Sequence, residues 1–78
     1  MQRYFFDVTE GSRTEYDYKG RDFLSVEMAN QHAELIALDL GLSADPREFP
    51  RQEVKMRNVA GALLFAVAVR SEADLLAA

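Results

Sequence analysis

His32 is the only histidine of this 78-residue chain, and histidine is the side chain that most readily exchanges protons near neutral pH. No serine nucleophile motif accompanies it, and the chain has no cysteine. Helical spacing places His32 at the boundary of an apolar helix face, where histidines usually pack against the core. We therefore predict a structural histidine, no catalytic residue and no enzyme.

Acidic side chains crowd the first part of the chain and could hold a metal ion. They are Asp7, Glu10, Glu15 and Asp17. Hard cations need several converging oxygens at fixed spacing, which these positions do not follow. Zinc is disfavoured by a single histidine without cysteines, and the scattered glycines form no phosphate-binding motif. The sequence predicts a solvated acidic face, with no metal and no cofactor.

Basic side chains cluster later in the chain and could contact phosphate. They are Arg47, Arg51, Lys55 and Arg57. A formal net charge of −4 and the lack of stacking aromatics near them argue against a nucleic-acid partner. The stretch from Asp22 to Asp45, in contrast, contains acidic residues and neither lysine nor arginine. The acidic helix of one copy could therefore meet the basic edge of another.

Length and composition fit one small globular domain over residues 1–78. Half of the residues (49%) are hydrophobic, which is too apolar for a disordered chain. The longest apolar run, Ala62–Val69, is far shorter than the roughly 20 residues that span a membrane. Asp7 interrupts the apolar N-terminus before it reaches the length of a secretory signal. We expect a soluble, cytoplasmic protein without a membrane partner.

Hydrophobic periodicity predicts an α+β fold in the order β-β-α-β-β. One long helix packs on a four-stranded, mainly antiparallel sheet, and a short C-terminal helix follows from Ser71. The helix begins at the N-cap Ser25 and ends at Gly41. The predicted strands are Arg3–Thr9, Thr14–Tyr18, Glu53–Asn58 and Ala62–Arg70.

The sheet-facing side of the helix is rich in alanine. Its predicted members are Val26, Ala29, Ala33, Ile36, Ala37 and Leu40. They should cover Tyr4, Phe6, Val8, Phe65 and Val67 on the sheet. The first and fourth strands are the most apolar, so we expect them at the centre and the other two at the edges. The sequence leaves open whether the central strands run parallel or antiparallel.

A second apolar row follows the opposite side of the helix, and we call it the outer stripe. It consists of Met28, Gln31, Leu35, Leu38 and Leu42. One sheet cannot cover both sides of one helix, and a row of exposed leucines is typical of a contact surface. We predict that another copy of the chain covers this candidate interface. The alternative is that the 43–52 loop or the terminal helix folds over it.

The N-terminal sequence Met1-Gln2-Arg3-Tyr4-Phe5-Phe6-Asp7-Val8 resembles a family of short uncharacterised proteins. Those proteins come from alphaproteobacteria, are abundant in rhizobia and begin M-P-R-Y-F-F-(D/H)-V. Further matches are Gly11, the turn at 17–20, Ala29, Ala33, Val54 and Gly61. This chain departs from the family at Leu24-Ser25, where members have Pro-Asp, and at 58–61, where they have Asp-Glu-x-Gly. The resemblance implies the same fold and a soil-bacterial origin, and it carries no activity.

Two functions of different classes follow from these patterns. The first is a non-enzymatic protein-interaction module that self-associates as a homodimer through the outer stripe. The second rests on layout, because a β-hairpin followed by a helix in an acidic chain is similar to the antitoxin of HicA–HicB-type pairs. That similarity implies a small basic RNA-cleaving partner, although the chain lacks an appended DNA-binding segment.

Overall fold

The computed structural model of the chain describes residues 1–43 and 51–70, which form five strands and one helix. The elements are β1 (Gln2–Glu10), β2 (Arg13–Glu15), β3 (Arg21–Phe23), α1 (Val26–Ser43), β4 (Gln52–Asn58) and β5 (Leu63–Ala68). The predicted α+β class is confirmed, with one short strand more than predicted. The predicted terminal helix from Ser71 and most of the proline-containing loop lie outside the described residues.

The sheet is antiparallel throughout the described part of the chain, in the order β2-β1-β4-β5. Two short strands pair with the same edge of the long strand β1. The strand β2 pairs with the C-terminal end of β1, and β3 pairs with its N-terminal end. The sequence predicted a single strand, Thr14–Tyr18, in this region, which is wrong. The strand ends at Glu15 and a turn carries the chain to β3, which is too short to show alternation.

The predicted strand order is wrong on the C-terminal side. The strand β4 lies at the centre, between β1 and β5, and β5 lies at the edge. Val54 and Met56 of β4 are completely buried, whereas Ala66 and Ala68 of β5 are exposed on the face away from the helix. The apolar residues on both faces of β5 suggested a central strand. Small side chains on its outer face remain in contact with solvent instead.

The core lies between α1 and one face of the sheet. Its buried hydrophobic residues are Tyr4, Phe6, Ala29, Ala33, Ala37, Val54, Met56 and Val69. Three of them are alanines of α1, as the helical periodicity predicted. Because a methyl group is short, the helix axis can approach the larger side chains of the sheet closely. Each fully buried side chain of the size of Met56 contributes about 1.5–3 kcal/mol relative to an exposed one.

The start of α1 is as predicted, but its end is not. At the start, the backbone N–H of Met28 donates to Ser25 Oγ at 3.2 Å, which confirms the predicted cap. The predicted end at Gly41 is wrong, because the helix continues to Ser43. Gly41 is buried, and a Cβ atom there would collide with the carbonyl oxygen of Arg70, just after β5. The glycine therefore permits close packing of helix and sheet.

Candidate functional site

The outer stripe lies on the side of α1 that points away from the sheet. The exposed fractions of its apolar residues are 47% for Met28, 62% for Leu35, 47% for Leu38 and 59% for Leu42. Gln31 is also exposed. At 100° per residue these positions lie opposite the buried alanines, so the sheet cannot reach them. The structure brings all five predicted interface residues onto one surface.

The outer stripe is an apolar surface whose area a partner can bury. From Met28 to Leu42 the stripe is about 21 Å long, because each helical residue rises about 1.5 Å. Glu27 and Glu34 lie beside it and are exposed. Scattered exposed leucines are ordinary on a protein surface, but a continuous row of this length is typical of an interface.

The predicted basic patch is divided among separate contacts. Arg47 lies outside the described residues, and Arg51 is exposed immediately before β4. Lys55 lies 3.8 Å from Glu53 of the same strand. Arg57 is bound to acidic and aromatic groups of the sheet. The positive charges of Lys55 and Arg57 therefore have acidic neighbours within the chain.

A polar network on the sheet face opposite the helix contains Asp7 and Asp17, two members of the acidic cluster near the N-terminus. Asp7 is 5% exposed, and its Oδ2 atom accepts a hydrogen bond from Arg57 Nε at 2.8 Å. Its Oδ1 atom accepts from the backbone N–H of Asp17 at 2.9 Å. The carbonyl oxygen of Asp17 accepts from Arg57 Nη2 at 2.9 Å. The predicted solvated face is wrong for Asp7, whose carboxylate joins β1, β4 and the turn before β3.

The side chain of Asp17 fills the gap that β2 and β3 leave along β1. Its carboxylate accepts hydrogen bonds from the backbone N–H groups of Phe6 at 3.2 Å, Lys19 at 3.0 Å and Gly20 at 3.1 Å. Burial raises the pKa of Asp17, but these hydrogen bonds and the nearby Arg57 charge outweigh it, so the pKa is lowered. This carboxylate replaces strand-to-strand bonds and is a structural group.

His32 packs between two aromatic rings at the edge of the core. Its ring centroid lies 4.9 Å from that of Phe6 and 5.3 Å from that of Phe23. Burial, and secondarily the positive charge of Arg21, lower the pKa of His32, so the neutral form is favoured. The helical spacing placed His32 at the core boundary, and the structure has it there. The arrangement is that of a packing residue.

Comparison with family models assigns the chain to a known group of sequences. Residues 3–70 match the family described as a domain of unknown function, DUF6894. The chain belongs to this family. No curated protein and no solved structure matches it. Membership of an uncharacterised family is confirmed, while the start motif and the bacterial group stay predictions.

The matched range of the DUF6894 domain contains the outer stripe, Asp7, Asp17 and Arg57. Within the described residues of the domain, no group of three or more histidine, cysteine or acidic residues could hold a metal ion. The described helix is also not long and apolar enough to cross a membrane.

Sequence reasoning missed the role of the DUF6894 domain's buried Asp7. The available signal was its position in the middle of an aromatic strand, where an acidic residue needs a partner when it is buried. Arg57 could not be named as that partner, because the choice depends on the register between β1 and β4.

Proposed function

We propose that this DUF6894 chain is a non-enzymatic interaction module that forms a homodimer through the outer stripe. The observation that carries the proposal is the exposure of four large apolar side chains in one row on α1. The dimer places α1 of one copy against α1 of the other, stripe to stripe. Such a contact is isologous, because each copy contributes the same surface.

The size of the stripe determines the expected strength of the dimer. Two packed helices lie about 8–10 Å apart, and over this length they bury roughly a few hundred Å² per copy. Standard stable interfaces bury about 800 Å² per partner. We therefore expect a dimer that dissociates in the micromolar range. The leucines at positions 35 and 38 lie near its middle, where truncation costs most binding energy.

The charges beside the stripe affect the same contact. Glu27 and Glu34 are exposed, and α1 contains neither lysine nor arginine. A stripe-to-stripe dimer brings like charges together at its rim, which weakens it. An alternative contact would set the acidic helix against Arg51 and Lys55 of another copy. The two arrangements respond oppositely to salt.

The test replaces two leucines of the stripe by glutamate, in the variant Leu35→Glu Leu38→Glu. The matched control is Leu24→Glu Val59→Glu, which adds the same charge at two residues that are more exposed and lie outside the stripe. Sedimentation equilibrium at micromolar concentration should give a dimer for the native chain and the control, and a monomer for the stripe variant. Far-UV circular dichroism verifies that all three are folded.

Two results would overturn the proposal. One is a native chain that sediments as a monomer throughout the micromolar range. The other is a folded stripe variant with the same dissociation constant as its control.

The second candidate is an antitoxin-like binding partner of a small basic RNA-cleaving protein. It is favoured by the acidic helix, since Glu27 and Glu34 offer a surface complementary to a basic one. The experiment is tagged purification of the chain co-expressed with its neighbouring genes. A small basic protein that co-purifies and whose ribonuclease activity the chain inhibits would support this candidate, and recovery of the chain alone would count against it.

A further inference from the structure

The strand β5 lies at one edge of the sheet. Among residues 1–43 and 51–70, it pairs with β4 alone, and none of these residues pairs with its other side. Its sequence, Leu-Leu-Phe-Ala-Val-Ala, contains no charge and no proline. Edge strands of natural proteins usually carry charged residues or proline, because exposed backbone N–H and C=O groups otherwise pair with strands of other molecules.

The opposite edge of the sheet has the features that usually prevent pairing with another strand. There, β2 and β3 have three residues each, and both contain charged side chains. Arg13 and Glu15 are exposed on β2, as are Arg21 and Asp22 on β3. In contrast, β5 is longer and uncharged, which favours its pairing with another strand.

The hydrogen bonds to β4 identify the backbone groups that face outward from β5. The N–H of Val69 donates to the carbonyl oxygen of Gln52 at 2.9 Å, so this pair is hydrogen-bonded. In an antiparallel pair such bonding recurs at every second residue, which directs Phe65 and Val67 toward β4. The backbone groups of Ala66 and Ala68 therefore point away from β4. A register shift beside Met56 and Arg57 limits this regular part to the C-terminal half of β5.

We propose that β5 pairs antiparallel with β5 of a second copy, about a two-fold axis at Val67. This register uses both outward alanines, because Ala66 of each copy exchanges hydrogen bonds with Ala68 of the other. It also sets Phe65 opposite Val69 of the second copy on the helix side of the sheet. The result is one continuous sheet through two molecules.

A second copy fits this edge because the strand is compatible with itself. An uncharged strand opposed to its own antiparallel copy brings no like charges together. The exposed side chains that meet on the outer face are alanines, which allow the backbones to approach without a clash.

This contact is separate from the outer stripe. The stripe points away from the sheet, so a dimer through one surface leaves the other free. A single strand pair buries less than the roughly 800 Å² per partner of a standard interface. We therefore expect edge pairing to require high protein concentrations.

The absence of cysteine from the native chain makes a clean cross-linking test possible. Residues that face each other across a non-hydrogen-bonded pair have Cα atoms about 4.5 Å apart, within the range that a disulfide spans. Val67→Cys should therefore form a disulfide-linked dimer under mild oxidation. Thr14→Cys, exposed on β2 at the opposite edge, is the control and should stay monomeric on a non-reducing gel.

Both cysteine variants are placed in the Leu35→Glu Leu38→Glu background, which separates this contact from the proposed stripe dimer. Cross-linking of Val67→Cys in that background supports edge pairing whether or not the stripe forms a dimer. Equal rates for the two cysteines, or no cross-linking of either at high concentration, would overturn it.

A backbone variant tests the hydrogen bonds themselves. Ala66→Pro removes an outward N–H and leaves the bonds to β4 in place, whereas Ala66→Ser keeps that N–H. With Val67→Cys present, the proline should lower the cross-linking rate at least tenfold relative to the serine. If the proline variant is unfolded by circular dichroism, N-methylation of residue 66 in a synthetic chain replaces it. An unchanged rate in a folded variant contradicts pairing through the backbone.

Discussion

Arg57 Nε lies 2.8 Å from Asp7 Oδ2, although the residue directly opposite Asp7 on β4 is Lys55. Arg57 faces Phe5 instead, and its guanidinium carbon lies 4.5 Å from the centroid of that ring. The ion pair is therefore diagonal across the two strands. Because Arg57 also donates to the carbonyl of Asp17, one side chain connects the central strands to the turn before β3.

Removal of the Asp7 charge should destabilise the fold. The side chains of Asp7 and Arg57 are 7% and 27% exposed, so the variant Asp7→Asn leaves a half-buried guanidinium without its anion. We expect a loss of about 2 kcal/mol in the free energy of unfolding, measured with urea. Glu15→Gln, an exposed carboxylate of the same hairpin, should change it by less than about 0.5 kcal/mol. Equal effects of the two variants would contradict a structural role for the pair.

Acid should destabilise the fold through Asp17. Its pKa in the folded chain is below the ordinary value of 3.8, so the unfolded chain binds this proton more readily. The stabilisation is present above about pH 4 and is lost as the pH falls through the lowered folded pKa. Urea unfolding between neutral and acidic pH should show a smaller decline for Asp17→Asn than for the native chain. The exposed Glu10→Gln is the control, and a native-like decline in Asp17→Asn would refute the assignment.

The substitution Gly41→Ala should lower stability, although alanine is the better helix former. Helix propensity alone favours alanine by about 1 kcal/mol. The added methyl group collides with the carbonyl of Arg70, and such overpacking costs about 1–3 kcal/mol. Urea unfolding measures the balance in the Leu35→Glu Leu38→Glu background, where the proposed stripe contact is removed, with Gln31→Ala as a control at an exposed position of α1. A stabilised Gly41→Ala variant would show that helix and strand can separate there at little cost.

Salt should strengthen the stripe dimer. Glu27 and Glu34 of two copies repel at its rim, and raising the ionic strength to about 0.5 M shortens the Debye length to about 4 Å. The dissociation constant from sedimentation should therefore fall as sodium chloride is added. A dissociation constant that rises with salt would instead favour contact between the acidic helix and a basic surface.

Local patterns predicted β1, α1 and β4 within a few residues, together with the helix face that the sheet covers. Alternation in Tyr4, Phe6 and Val8 and the spacing of the helix alanines are strong signals, because burial imposes them directly. The outer stripe was visible from the same helical period, since its residues fall on the side of α1 opposite the buried alanines.

Features that depend on the pairing of distant strands were not predictable. The order of β4 and β5 was wrong because β4 alternates polar with apolar residues whereas β5 is apolar throughout, and this contrast does not report which strand pairs on both edges. Arg21–Phe23 carries no alternation of its own and becomes a strand by pairing with β1. The partner of Asp7 depends on register in the same way.

The close approach of Gly41 to Arg70 ties the end of the described strand region to the helix. It holds the backbone at the end of the matched family range against the last turns of α1. The position of Arg70 is therefore set by the helix as well as by the sheet. A spectroscopic probe attached at residue 70 would report directly on any separation of α1 from the sheet.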